Sequence, residues 1–196
     1  YFFKGQNYSQ ALKYALLTAQ HYRLELKNKE AYEYYQKAFS LLKYVAGESD
    51  NYALFRKELP EFLKTILIMG HFNAGIDICH ELIEVDGENF EIYKFLGYYL
   101  YRTGQTQQAF QAYERALELA VKEEDRAAVD MERAFTLVLQ GDYRAAREIC
   151  QQYPRVQGLP EARKWNCLGG IAFYTGKTKL AQESFQKALT IYNRFN

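Results

Sequence analysis

Proline is nearly missing, with three in 196 residues, and glycine is held to twelve. A chain so poor in breakers is not a series of short strands joined by tight turns. No apolar run reaches the ~20 residues a membrane-spanning helix needs, so no membrane is expected as a partner. An excess of one charge is also absent. Twenty-five Lys and Arg face 24 Asp and Glu, a formal net charge of +1. No overall field draws the chain to nucleic acid or an anionic surface. The three cysteines, Cys79, Cys150 and Cys167, are odd in number and widely spaced, with no C-x-x-C pair. That points to reduced thiols in a cytoplasmic protein rather than a disulfide framework. His21, His71 and His80 are the only histidines. His80 adjoins Cys79, but neighbours on a helix point in different directions and make no metal pair. G-x-S-x-G, H-E-x-x-H and G-x-G-x-x-G do not occur. No catalytic centre, metal or cofactor is expected. The chain begins with Tyr1 rather than Met and is expected to be a piece of something longer.

What is present is apolar and aromatic. Hydrophobic residues make up 48% and charged residues 25%, with 18 Tyr and 13 Phe. Such a chain folds, and its Ala, Leu, Glu, Gln and Lys content favours helix. Self-similarity sets the organisation. Gly70, Gly104, Gly141 and Gly176 each follow an apolar helical stretch, at intervals of 34, 37 and 35 residues. Five residues after each comes Gly75, Ala109, Ala146 or Ala181. Four further comes Cys79, Tyr113, Cys150 or Phe185, and three further Leu82, Ala116, Tyr153 or Ala188. Seven before each glycine stands Leu63, Gly97, Ala134 or Gly169. Positions i, i+4 and i+7 share one helical face. Small residues let two helix axes approach, and bulky ones fill the space beside them. Each unit is thus a helix hairpin that completes its core by stacking on its neighbours.

These residues carry a resemblance. Trp165-x-x-Leu168-Gly169-x-x-Ala172, Gly176, then Ala181-x-x-x-Phe185-x-x-Ala188 resembles the tetratricopeptide repeat. Tyr93-x-x-Leu96-Gly97-x-x-Leu100, Gly104, Ala109-x-x-x-Tyr113-x-x-Ala116 is similar, with Tyr for the usual Trp. The unit around Gly141 departs from the pattern, with Asp130 and Arg133 where the family has Trp and Leu. The unit around Gly70 has Leu63 and Leu82 where small residues are usual, and the family's terminal proline is missing from all four. The resemblance implies an all-α solenoid, a superhelix of about five antiparallel hairpins. It is expected as a single domain over 1–196, with a divergent hairpin at 1–50 and repeats at 51–88, 89–123, 124–158 and 159–196.

Breakers and caps place helices near 7–26, 28–46, 51–69, 72–85, 90–102, 106–121, 124–140, 143–152, 159–174 and 178–194. Gly47 to Asp50 reads as a loop and cap. Pro60 either kinks the third helix or marks its start near Leu59. In the first fifty residues, pairing 7–26 with 28–46 leaves Tyr1 to Lys4 as the end of an earlier element. A Gly5 turn with the opposite parity is the alternative.

"GGIAFYTGKT" at 169–178 ends in Gly-Lys-Thr and raises the question of a phosphate-binding loop. That loop needs G-x-x-x-x-G-K-[ST] between strand and helix. Here Ile171 stands where the first glycine belongs. "YRTGQT" at 101–106 occupies the same register with Gln105 for Lys177. The stretch therefore reads as a helix–helix turn, with Thr106 and Thr178 as N-caps.

By resemblance, the first helix of each hairpin lines the concave wall. The expected partner-binding residues are Lys64, Lys94, Tyr98, Tyr101, Arg102, Met131, Phe135, Arg163, Asn166 and Phe173, with Leu67, Val138 and Tyr174 beside them. Co-chaperones of the family that grip acidic chaperone tails carry Asn one turn after Lys. Ile68 follows Lys64 and Tyr98 follows Lys94, so that clamp is not expected. The reading is a non-enzymatic scaffold for a protein or peptide ligand. Two alternatives stand beside it. One is the peptide-sensing half of a bacterial transcriptional or signalling regulator. The other is self-assembly, with a homodimer formed through the C-terminal helix, whose "ALTIYNRF" lacks a polar outer face.

Overall fold

The structure, a computed structural model, describes residues 7–45 and 49–195. It contains α1 (Tyr8–Leu24), α2 (Asn28–Leu41), a short 3-10 turn (Leu42–Tyr44), α3 (Ser49–Met69), α4 (Phe72–Asp86), α5 (Phe90–Arg102), α6 (Thr106–Leu119), α7 (Glu123–Gln140), α8 (Tyr143–Gln152), α9 (Leu159–Tyr174) and α10 (Thr178–Tyr192). No strand occurs among the described residues. Every helix expected from the sequence is present, with ends shifted by a few residues.

The helix ends follow from local chemistry. Asn7, Asn89 and Asp142 cap α1, α5 and α8, accepting hydrogen bonds from the backbone N–H of Gln10, Glu91 and Ala145. Gly70, Gly104, Gly141 and Gly176 all take positive φ, between +71° and +86°. After each, the next N–H reaches back to a carbonyl five residues earlier: His71 to Ile66, Gln105 to Leu100, Asp142 to Leu137 and Lys177 to Ala172, at 2.8–3.2 Å. This is the Schellman closure, in which a residue without Cβ takes the left-handed position. The Gly-Lys-Thr stretch is one of these four equivalent turns. One detail differs from expectation. Gln105 and Lys177 occupy the N-cap positions without a side-chain cap bond, and Thr106 and Thr178 are already the first helical residues. The hydroxyls of Thr103 and Thr175, before the glycine, donate instead to Tyr99 O and Ile171 O.

Contacts divide the chain into two compact units, Tyr1–Val85 and Asp86–Asn196. In the first, α1 packs on α2 through buried alanines and one tyrosine. Ala11, Ala15 and Ala19 face Ala31, Tyr35 and Ala38, all buried. This supports the 7–26 with 28–46 parity; Tyr1 to Lys4 and Gly5 lie outside the described residues, as do 47 and 48 of the expected loop. The turn is closed by Leu26, a non-glycine residue at φ 59°. On the next layer Tyr35 stacks on Phe62 of α3 at 5.4 Å, and its hydroxyl donates to Glu58 at 3.1 Å. α3 begins at Ser49 and runs unbroken through Pro60.

In the second unit α5 pairs with α6, α7 with α8, and α9 with α10, while α7 also packs on α9. Ala109, Ala146 and Ala181 are buried, as the repeat register requires. Gly97 lets the Tyr113 ring lie flat on α5, and Gly169 does the same for Phe185 on α9: a Cβ at either would come within 2.5 Å and 2.7 Å of the ring. The departures from the repeat pattern around Gly141 also have a structural role. Asp130, only 6% exposed, accepts from Tyr153 at 2.6 Å and pairs with Arg133 at 2.7 Å. The Lys164 ammonium donates to the Tyr153 carbonyl at 2.8 Å. A polar network thus stands where the family pattern places an indole and a leucine, and both Asp130 carboxylate oxygens are satisfied within it, while the buried Arg133 Nε makes no hydrogen bond among the described residues.

Candidate functional site

Within the second unit, the first helices of three hairpins, α5, α7 and α9, line a pocket of about 400 Å³. Tyr98, Tyr101 and Arg102 come from α5, spaced so that they share one face. Glu132, Phe135, Thr136 and Leu139 come from α7, at i, i+3, i+4 and i+7 of one helical stripe, and Arg163 comes from α9. Gly104 and Thr106 complete the rim at the α5–α6 turn.

Arg163 organises the pocket's chemistry. Its guanidinium donates to Glu132 at 2.5 Å and lies 4.2 Å from the centre of the Phe135 ring. Side-chain exposure is 19% for Arg163 and 24% for Glu132. Burial works against the charge on Arg163, but the Glu132 carboxylate outweighs it and holds the group above the ordinary arginine range. The Nε atom of Arg163 is buried and makes no hydrogen bond among the described residues. Arg102 lies over the Tyr98 ring at 6.0 Å. Burial pushes the Tyr101 hydroxyl up from its usual range, so it stays a neutral donor at physiological pH. The lining joins aromatic faces, two guanidiniums and one carboxylate. Among the described residues no cluster of three His, Cys, Asp or Glu could hold a metal ion. No described helix is long and apolar enough to cross a membrane.

Of the residues expected on the wall, the pocket brings together Tyr98, Tyr101, Arg102, Phe135 and Arg163. Met131 and Val138 are not on it. Both are buried, at 0% and 1% exposure, in the core that α7 forms with α8 and α9. The expected stripe on α7 was one residue out of phase, which on a helix turns the side chain by about 100°. Lys94 is engaged on its own helix, paired with Glu91 at 2.6 Å and lying over the Phe90 and Phe95 rings. Asn166 is half-buried and does not line the pocket. Phe173 is 61% exposed and meets Tyr174 edge-on, and Tyr174 stacks on Tyr143 of α8. Lys64 is exposed on α3, in the first unit. The sequence reading missed Glu132, Thr106, Thr136 and Leu139. The signal for the α7 residues was available: Phe135 follows Ala134 as Tyr98 follows Gly97, and Glu132, Thr136 and Leu139 complete its stripe.

Comparison with known proteins bears on the fold. The family described as Tetratricopeptide repeat matches residues 90–120, which span α5 and α6. No curated sequence matches the chain. Among solved structures, the chain superposes on the crystal structure of MamA protein with a TM-score of 0.59 and 20% identity, covering 94% of this chain and 93% of that one. Residues 90–120 thus match one tetratricopeptide repeat, and the chain as a whole has the all-α helical-hairpin fold its glycine register implies.

Proposed function

We propose that the second unit is a binding scaffold for an extended peptide or a partner helix, held in the pocket between α5, α7 and α9, with no catalysis of its own. The observation that supports this is the convergence of Tyr98, Tyr101, Arg102, Phe135 and Arg163 from three successive hairpins on one cavity. Tyr and Arg are the side chains that most often dominate partner binding, because they bring large area and directed polar contacts at little conformational cost. The cavity accepts a side chain or two, not a folded domain, so the ligand chain lies along the helices and inserts an anchor. Tyr98→Ala is expected to weaken capture of the partner at least tenfold, and Arg102→Ala by a smaller factor, with helicity unchanged by circular dichroism. The check is isothermal titration against the strongest binder selected from a displayed peptide library. Affinity unaltered in both variants would remove the pocket from the reading.

A second reading, self-association through α10, has its own observation. Tyr113 and Phe185 occupy the same register in their hairpins. Tyr113 is fully buried, whereas Phe185 is 38% exposed, with Leu180 and Leu189 about half exposed on the same helix. The face that another helix covers on α6 is open on α10. Light scattering across a concentration series is expected to show a dimer that Phe185→Glu with Leu189→Glu converts to monomer. A chain that stays monomeric at the highest concentration disposes of this second reading and leaves the first untouched.

A further inference from the structure

A smaller groove of about 270 Å³ lies elsewhere in the second unit, between α8 and α10 and over α9. Trp165 and Leu168 of α9 line it with Leu180 and Ser184 of α10; Arg147 of α8 and Lys177 of the α9–α10 turn stand at its edge. Trp165 and Leu168 lie roughly half a turn round α9 from Arg163. The groove and the α5–α7–α9 pocket share no lining residue.

The repeat register explains why a hollow stands here. Over α7, the second helices on either side carry Phe110, six residues after Gly104, and Ile149, eight after Gly141. Both are partly buried, and Ile149 packs against the core cluster. Over α9, the same two positions carry Arg147 and Ser184. A ring and an aliphatic chain are missing, and a guanidinium has come to the edge. The Ser184 hydroxyl is buried and donates to the Leu180 carbonyl at 2.8 Å, so it brings no free donor to the floor.

The edge carries charge of one sign. The Lys187 ammonium lies 4.1 Å from the centre of the Trp165 ring. Lys187, Arg147 and Lys177 are exposed and make no ion pair among the described residues. None of the residues lining the groove is acidic. The acids beside them in sequence are engaged or turned elsewhere. Glu148 pairs with Arg144 at 3.0 Å, and Glu183 lines a separate hollow with Lys177 and Lys179. A cation resting on an aromatic face keeps its outer side free for a carboxylate.

We propose that this groove is a second docking site, for an acidic segment of a partner protein that inserts one large apolar side chain beside Trp165. The floor supplies the apolar contact, and the three cations supply orientation and rate of encounter. The site is independent of the pocket between α5, α7 and α9 and stands or falls without it.

The test titrates the full chain with a blocked peptide carrying one leucine between two runs of three glutamates. Three counterparts accompany it: glutamine for glutamate, lysine for glutamate, and alanine for leucine. Trp165 is the chain's only tryptophan, so its emission reports on the groove directly. The glutamate–leucine peptide is expected to shift that emission and to bind about tenfold tighter than any counterpart. Added salt is expected to weaken it, because exposed charges are screened. Arg147→Glu with Lys187→Glu is expected to weaken binding by about tenfold or more in calorimetry, with helicity unchanged, since both side chains are exposed. Ser184→Ile, which copies Ile149, is expected to fill the groove and block the leucine. Tyr98→Ala is expected to leave this binding as it was. No response to the glutamate–leucine peptide, equal binding of the glutamine or lysine peptide, or indifference to the charge reversals would each overturn the proposal. So would binding lost in Tyr98→Ala alone, which would place the peptide in the other pocket. Emission that shifts with protein concentration by itself, and ceases to do so in Ser184→Ile, would make the occupant a second copy of this chain and overturn it as well.

Discussion

Replacing Gly97 with alanine is expected to lower the stability of the second unit by about 1–2 kcal/mol, although alanine is the better helix former by ~1 kcal/mol. The added methyl would stand 2.5 Å from two carbons of the Tyr113 ring. That ring is fully buried, so it cannot swing into solvent to make room. Overpacking of this kind strains rotamers and separates the two helices of the hairpin. Gly169→Ala provides the contrast. Its methyl would meet Phe185 at 2.7 Å, but that ring is 38% exposed and is free to slide outward. There the helix-forming gain offsets the clash, and stability is expected to stay within ~0.5 kcal/mol of wild type. Urea unfolding followed by the fluorescence of Trp165, the chain's only tryptophan and part of α9, reads the second unit alone. The Gly141 hairpin supplies a further control, since it already pairs Ala134 with Cys150 in one core cluster. In a Tyr113→Cys background the sign should reverse, with Gly97→Ala stabilising. If Gly97→Ala is neutral with Tyr113 present, the ring is not pinned and the packing argument fails.

The same comparison explains how much of the fold could be read from the sequence. The four turn glycines answer a backbone requirement and fix the register of the last four hairpins; in the α1–α2 turn Leu26 takes the left-handed position instead, so that hairpin lacks the mark. Gly97 with Tyr113, and Gly169 with Phe185, are a volume exchange across a close helix approach. Ala134 with Cys150 is the same exchange made with smaller steps, which is why that hairpin is harder to see. Its polar network was also hidden. Asp130 and Tyr153 are 23 residues apart, and nothing local says that a carboxylate will be buried until its partner is known to arrive.

The site was legible in part for a related reason. Tyr98, Phe135 and Arg163 lie on helices whose inner faces the repeat register places together, so a residue type and a position sufficed. Glu132 carries no such mark. Its importance comes from Arg163, 31 residues later and one hairpin away, and only the packing of α7 on α9 brings them together. Met131 shows the opposite error. A methionine one position from the true stripe reads as wall by composition and turns out to be core.

Glu132→Ala is expected to cost the second unit about 2–4 kcal/mol, more than most exposed ion pairs would. The Arg163 guanidinium is about four-fifths buried and has three sources of support: the Glu132 carboxylate at 2.5 Å, the Phe135 ring at 4.2 Å, and what solvent reaches it. Arginine cannot shed its proton to escape burial. With the carboxylate gone, the charge remains against an aromatic face worth ~1–2 kcal/mol, and its desolvation is otherwise unmet. Glu132→Gln keeps an acceptor but not the charge, so it should recover part of the loss. Arg163→Ala leaves the carboxylate unpaired and strips the cover from Phe135. The double variant is expected to be less harmful than the two single effects added together, with a coupling of about 1.5–3 kcal/mol in a Trp165-monitored urea cycle. Strict additivity would mean that the two charges are each solvated separately and that the pocket floor is not built on their pairing. Partner binding supplies an independent reading of the same four proteins. If the pair is a preformed floor for the ligand, affinity should fall in both single variants in proportion to their loss of coupling. If Arg163 alone contacts the ligand, Glu132→Gln should bind as tightly as wild type or tighter, because the guanidinium is then released from its internal partner.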